Sequence, residues 1–242
     1  MQFFHWRVLA SGCLLSAMIR RDYILRLVEQ FVLALSKIQG FRKEQQWGDA
    51  EAALDEEFQR LIKRGAEGVS ALSLTELLSR LIEGEPTQAV QIKAFMLATL
   101  LQQAGDLAIA QNQMESGRSH YLKGLHLLLH TLAGGDIQDY PEFVPKVEMF
   151  VAAVKGFELP IETLGTLMQH YERTGEFAKA EDALFDMLDQ TGENVRILEF
   201  GIAFYERLLV LSNDALDVGG LPRVEVESSL TELRRRLTLA VP

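Results

Sequence analysis

Apolar residues recur at three- and four-residue intervals along nearly the whole chain, and no stretch alternates as a half-buried strand would. Tyr23, Leu27, Phe31 and Leu35 stand four apart, with Ile24, Val28 and Val32 beside them. This predicts a first helix with a wide apolar face, loosened at Gly40. A second helix begins near Trp47, with Ala50, Leu54, Phe58, Leu61 and Ile62 on one face and Glu51, Asp55, Glu56 and Arg60 on the other. Lys63, Arg64 and Gly65 suit its end: cations complement the negative helix pole, and glycine permits a left-handed exit. Ser73-Leu74-Thr75-Glu76 has the form of a capping box and predicts a short helix to about Glu83. Gly84-Glu85-Pro86 breaks the pattern, and Thr87 suits the next cap. Long helices follow over about 88–114 and 115–132.

Gly134-Gly135 and Asp139-Tyr140-Pro141 mark a break near the middle. Beyond it, helices are predicted over about 142–157, 161–174, 177–190 and 194–211. Gly219-Gly220-Leu221-Pro222 reads as a linker, and Val226, Leu230, Leu233 and Leu237 stripe a last helix. The expected fold is all-α, and short connections favour antiparallel neighbours. The expected divisions are an N-terminal hairpin region over 18–133, a repeat-like region over 142–212 and a C-terminal helix over 223–240.

Composition adds limits. Of 242 residues, 48% are hydrophobic, enough for one larger domain or two small ones. The net charge of −10 argues against nucleic acid as a partner. It is uneven: residues 1–64 carry +2 and the remainder −12. A single cysteine, Cys13, allows no internal disulfide and fits a reducing cytoplasm. Met1–Ala17 is apolar with Arg7 as its one charge, and Arg7 and Arg20 leave too short a run to span a membrane. The segment reads as an extra stretch ahead of a natural start at Met18. The competing readings are an added helical turn and a loose lipoprotein box ending at Cys13.

Tyr171-Glu172-Arg173 returns as Tyr205-Glu206-Arg207, 34 residues later. That offset is about the length of one tetratricopeptide helix–turn–helix unit. Residues 161–192 resemble that repeat: Leu164, Leu167, Tyr171 and Gly175 match its first helix and turn, and Phe177, Ala180 and Leu184 its second. Ala180 has a physical purpose, since a larger side chain would push the helices apart. No glycine follows Tyr205, where Leu208-Leu209-Val210 stands, so that helix is expected to run on as a cap. Weaker likenesses rest on Gly105, Ala108, Gly117, Tyr121 and Gly124, and on Phe41, Trp47, Ala50 and Leu54, with Gln45 in the place of the turn glycine. Gly117 and Gly124 stand where alanine is usual, which implies very tight packing or local weakness. The chain is also similar to a narrower group of bacterial repeat-like proteins without established activity. That likeness rests on Arg21-Asp22-Tyr23-Ile24-Leu25-Arg26, Arg42-Lys43-Glu44-Gln45-Gln46-Trp47, Gly105-Asp106 and Tyr121-Leu122-Lys123-Gly124-Leu125. The resemblance implies antiparallel helical hairpins stacked as a short, irregular tetratricopeptide-like superhelix, and it supplies no catalytic residue.

Candidate chemistry is sparse. His126 and His130 lie four apart, with His120 in the same segment, a spacing that can share zinc. Leu127 stands where a zinc protease would carry glutamate, so packing or surface roles are expected, and no metal or cofactor. Cys13 lacks a local histidine and acid, and no phosphate loop or dinucleotide fingerprint occurs. Asp55-Glu56-Glu57 reads as a solvated face, and Arg234-Arg235-Arg236 as a complement to a helix pole.

In tetratricopeptide proteins the first helix of each unit lines a concave groove. The resemblance therefore implies Gln169, Glu172 and Arg173, and then Arg196, Glu199, Glu206 and Arg207, as partner-binding residues. Arginines there can fork onto a carboxylate; the asparagines of carboxylate-clamp repeats are absent, and intramolecular ion pairs are the competing reading. The expected function is a non-enzymatic cytoplasmic scaffold for a protein or peptide, without a membrane role. A self-associating homo-oligomer and a histidine-dependent metal protein or hydrolase are the alternatives.

Overall fold

The computed structural model describes residues 5–82, 87–134, 140–192 and 194–240, with side chains from residue 22 onward except 67, 70, 87 and 88. The readings of Met1–Ala17, Gly84-Glu85-Pro86, Gly135 and Asp139 rest on positions or side chains outside that set. The described residues form twelve helices and no strand. They divide into two units, one of Met1–Thr131 and Asp136–Lys155, the other of Leu132–Gly135 and Gly156–Pro242.

The first unit carries α1 (His5–Lys43), α2 (Trp47–Ile62), α3 (Ala66–Ala71), α4 (Leu74–Ile82), α5 (Thr87–Ala110), α6 (Met114–Ala133, its last turn grouped with the second unit) and α7 (Val147–Ala153). Gly40 does not end α1: nothing crowds it, and buried Ile38 anchors the turn. Phe31, Leu35 and Ile38 form the buried stripe, whereas Tyr23 and Val32, both expected on the apolar face, are exposed. All five residues predicted for the α2 face are buried. Glu57, expected in solvent, is buried and accepts from Arg60 Nε at 3.0 Å. The left-handed exit of α2 falls on Lys63 (φ 58), while Gly65 is extended and opens the unforeseen α3. Asp55 Oδ1 accepts the Ala66 amide there at 2.7 Å. The capping box forms: Ser73 N–H donates to Glu76 Oε2 at 2.8 Å, and Glu76 N–H to the serine hydroxyl at 3.3 Å.

The turns α1–α2 and α5–α6 close in one way. Gln45 (φ 59) and Asn112 (φ 62) take the left-handed conformation, and the next amide reaches back five residues, Gln46 to Phe41 and Gln113 to Ala108, both at 2.8 Å. α5 and α6 approach so closely that a Cβ on Gly105 would lie 2.7 Å from Tyr121 Cε1, and α7 packs on α6 so closely that one on Gly124 would lie 2.5 Å from Phe150 Cε1. Tight packing, not weakness, is thus what these glycines serve. α7 is far shorter than the expected 142–157 helix, because Pro141 and Pro145 hold the chain out of helix until Val147.

The second unit carries α8 (Ile161–Thr174), α9 (Phe177–Thr191), α10 (Val195–Leu208), α11 (Asn213–Val218) and α12 (Arg223–Ala240). The α8–α9 turn repeats the same closure at Gly175 (φ 77), with Glu176 N–H on Tyr171 O at 2.8 Å. α10 stops at Leu208, short of the expected 211, and the unforeseen α11 follows. Arg223 takes the place of a glycine stop: Nη1 donates to Leu209 O at 3.2 Å and Nη2 to Leu211 O at 2.5 Å. Gly201 lets α10 sit between Leu184 of α9 and Leu233 of α12. Gly219 lies on the α8–α9 turn, where its carbonyl accepts Ala178 N–H at 3.1 Å.

Candidate functional site

Within the second unit the tyrosines of both Tyr-Glu-Arg triplets are buried. The Tyr205 hydroxyl donates to Glu181 at 2.6 Å; burial, then this carboxylate, hold its pKa well above the usual tyrosine range. The offset of about one repeat turns the neighbouring charges toward each other. Arg207 Nε and Nη2 donate to Glu172 Oε1 and Oε2 at 2.6 and 2.8 Å, a forked pair between α8 and α10. Glu206 accepts from Arg234 Nη2 at 2.8 Å, and Arg173 donates to Leu132 O of the same unit at 3.0 Å. Four of the seven expected partner-binding residues, Glu172, Arg173, Glu206 and Arg207, therefore bond within the unit. Gln169, Arg196 and Glu199 remain exposed. In the basic triplet Arg235 pairs with Glu232 at 2.7 Å.

The first unit holds an open groove of about 1120 Å³ along α1, α5 and the 141–149 segment. The segment is held down by Phe143, whose ring meets Phe31 edge-on at 4.9 Å. Val32 (41% exposed) and Met149 (50%) give the groove an accessible apolar surface. Its lining includes a charged cluster. Arg42 Nη1 lies 2.9 Å from Asp106 Oδ2 and donates to Gln103 Oε1 at 2.5 Å. The Tyr121 hydroxyl donates to Asp106 Oδ1 at 2.6 Å. Burial, then Asp106, raises the pKa of Tyr121 far above its ordinary value. Gly105 makes room for that ring. Lys43, Lys146 and Glu142 stand exposed on the rim, with no partner among the described residues. The two hydroxyls of the lining are committed, Ser36 to Val32 O at 2.9 Å and Thr99 to Phe95 O at 2.8 Å. The arrangement offers shape, apolar surface and charge.

Sequence reasoning did not single out this groove, because its lining comes from three separate segments, 28–47, 99–110 and 141–149. Residues of the resemblance-bearing segments Arg42–Trp47, Gly105-Asp106 and Tyr121–Leu125 do meet there: Arg42 and Asp106 line the groove, and Tyr121 bonds Asp106 from behind.

A second cleft, of about 610 Å³, lies between α2, α5 and α6, walled by small residues such as Ala52, Ala104 and Ala108. His120 lines it, buried, with Nδ1 donating to Ser116 O at 2.8 Å. Burial pushes its pKa down. His126 is half-buried and His130 exposed. Among the described residues no three histidine, cysteine or acidic side chains are placed to hold a metal, and no helix is long and apolar enough to cross a membrane.

The chain belongs to a family described as one of unknown function (DUF6483), whose profile matches residues 18–238. No curated protein and no solved structure matches it.

Proposed function

We propose that this chain is a non-enzymatic, cytoplasmic scaffold whose first unit takes up a peptide segment of a partner protein in the α1–α5 groove. The observation that carries the reading is the groove itself, open, partly apolar at Val32 and Met149, and ringed by charge. The tetratricopeptide-like part of the reading draws support from the three turns at Gln45, Asn112 and Gly175. Each is followed two residues later by the next helix, at Trp47, Met114 and Phe177. The buried small residues Ala50, Gly117 and Ala180 each fall five positions after the turn residue. The implied face of the second unit is a weaker candidate, since two of its three arginines, Arg207 and Arg173, are spent on Glu172 and on Leu132. Gln169, Arg196 and Glu199 are the part of it left for a partner.

The test is affinity capture from native lysate on the wild-type chain and on Val32→Arg/Met149→Arg, with circular dichroism to show that both fold. A partner held by the first and lost by the second supports the reading. Identical capture by both sinks it.

Self-association is the second reading, favoured by Val210, Val218 and Val224, exposed around the turns that join α10, α11 and α12. Deleting the last helix would not test it, because Val226, Leu230 and Leu233 of α12 are core. Serine at Val218 and Val224, followed by light scattering, leaves the core intact.

A further inference from the structure

We infer that the occupant of the α1–α5 groove is an acidic, amphipathic segment of a partner protein, an inference that rests on the peptide-binding reading above. Lys43 and Lys146 both line the groove and neither has a carboxylate partner among the described residues. Against them stands one unpaired carboxylate, Glu142. Arg42 is paired with Asp106, but through Nη1 alone; its Nε and Nη2 make no bond among the described residues. Those two donors lie side by side on one edge of the guanidinium, the edge that takes a carboxylate in a fork.

The excess of cations is local. The whole chain carries −10, yet beyond a Debye length of about 8 Å at physiological salt the remaining charge is largely screened. A segment lying in the groove therefore meets a net positive lining, Lys43 and Lys146 against Glu142. A basic segment would set like charges against Lys43 and Lys146, at a cost that disfavours wrong partners. The apolar half of the ligand follows from Val32 and Met149, whose exposed surface gains only from covering by aliphatic or aromatic side chains. A helix with an apolar stripe flanked by Asp and Glu satisfies both demands.

The experiment uses the full-length chain and a phage-displayed library of randomised peptides, with counter-selection on Val32→Arg to retain groove-dependent binders. Enriched peptides are then synthesised and titrated by fluorescence anisotropy against wild type, Lys43→Glu/Lys146→Glu and Lys43→Gln/Lys146→Gln. The expected outcome is peptides rich in Asp and Glu beside Leu or Phe. Their affinity should fall about tenfold on charge reversal, less on neutralisation, and also with added salt. Groove-dependent peptides that are neutral or basic, or indifferent to both lysine variants, overturn this inference and leave the peptide-binding reading standing. A selection in which no binder depends on Val32 overturns both. Light scattering on the same proteins covers the remaining occupant: a dimer that dissociates in Lys43→Glu/Lys146→Glu would make a second copy the ligand and overturn the foreign segment.

Discussion

Gly124 and Gly40 are both helical glycines, yet the space around them sets opposite expectations for alanine. Alanine gains about 1 kcal/mol over glycine in a helix interior. At Gly40 nothing lies within 4 Å of the added Cβ, so Gly40→Ala should stabilise by up to about that amount. At Gly124 the methyl would sit 2.5 Å from the buried Phe150 ring and 3.3 Å from Leu101 Cβ. Overpacking of that kind costs about 1–3 kcal/mol, which outweighs the helical gain. Urea denaturation of the pair checks both signs, and a stabilised Gly124→Ala would show that α6 can move away. His120 gives a pH dependence. Burial disfavours its imidazolium, so the folded pKa lies below the unfolded one of about 6.5. Its contribution to stability is complete above that pH and is lost as pH falls, because the unfolded chain then binds a proton that the folded one resists. The urea midpoint should drop between about pH 7.5 and pH 5.5, and drop less in His120→Gln. Equal drops would assign the effect to other groups.

Helix ends decide which elements the sequence discloses. The α8–α9 hairpin is legible because Gly175 sits where the left-handed residue must be. The same closure at Asn112 is hidden, since asparagine also reads as an ordinary polar loop residue, and at Gln45 it opposes a local preference worth about 1–2 kcal/mol. α7 is overestimated because apolar spacing continues through Pro145 while the backbone does not. The groove is illegible for a different reason: its walls come from residues 28–47, 99–110 and 141–149, and no local pattern predicts which segments meet. The end of α10 depends in the same way on a distant residue, Arg223, whose Nε also donates to Asn213 Oδ1. Bonds from a charged donor contribute about 1.5–3 kcal/mol. Arg223→Ala should therefore destabilise by about that much, and Arg223→Lys by somewhat less, since one ammonium cannot span both carbonyls. Amide hydrogen exchange would localise the loss to residues 205–222. Unchanged protection there would mean that water replaces the guanidinium without penalty.

At the scale of the molecule, charge and exposed apolar surface pull in opposite directions. A net charge of −10 keeps copies apart at pH 7, while Val210 (86% exposed), Val218 (90%) and Val224 (77%) offer surface that gains from being covered. The balance is adjustable because the isoelectric point is about 5.1. Lowering the pH toward that value cancels the repulsion and leaves the valines unopposed. Added salt at pH 7 screens the repulsion without titrating any group. The mass measured by light scattering should therefore rise in both experiments for the wild-type chain. Val218→Ser/Val224→Ser leaves the charge unchanged and should suppress the rise in both. If the serine variant associates as readily as wild type, loss of repulsion alone is responsible and the valines form no interface. Because His120 weakens the fold on the acid side, circular dichroism at each pH must separate association of folded chains from aggregation of unfolded ones. The salt experiment is free of that complication: association there that vanishes in the serine variant would establish the apolar contact between folded copies.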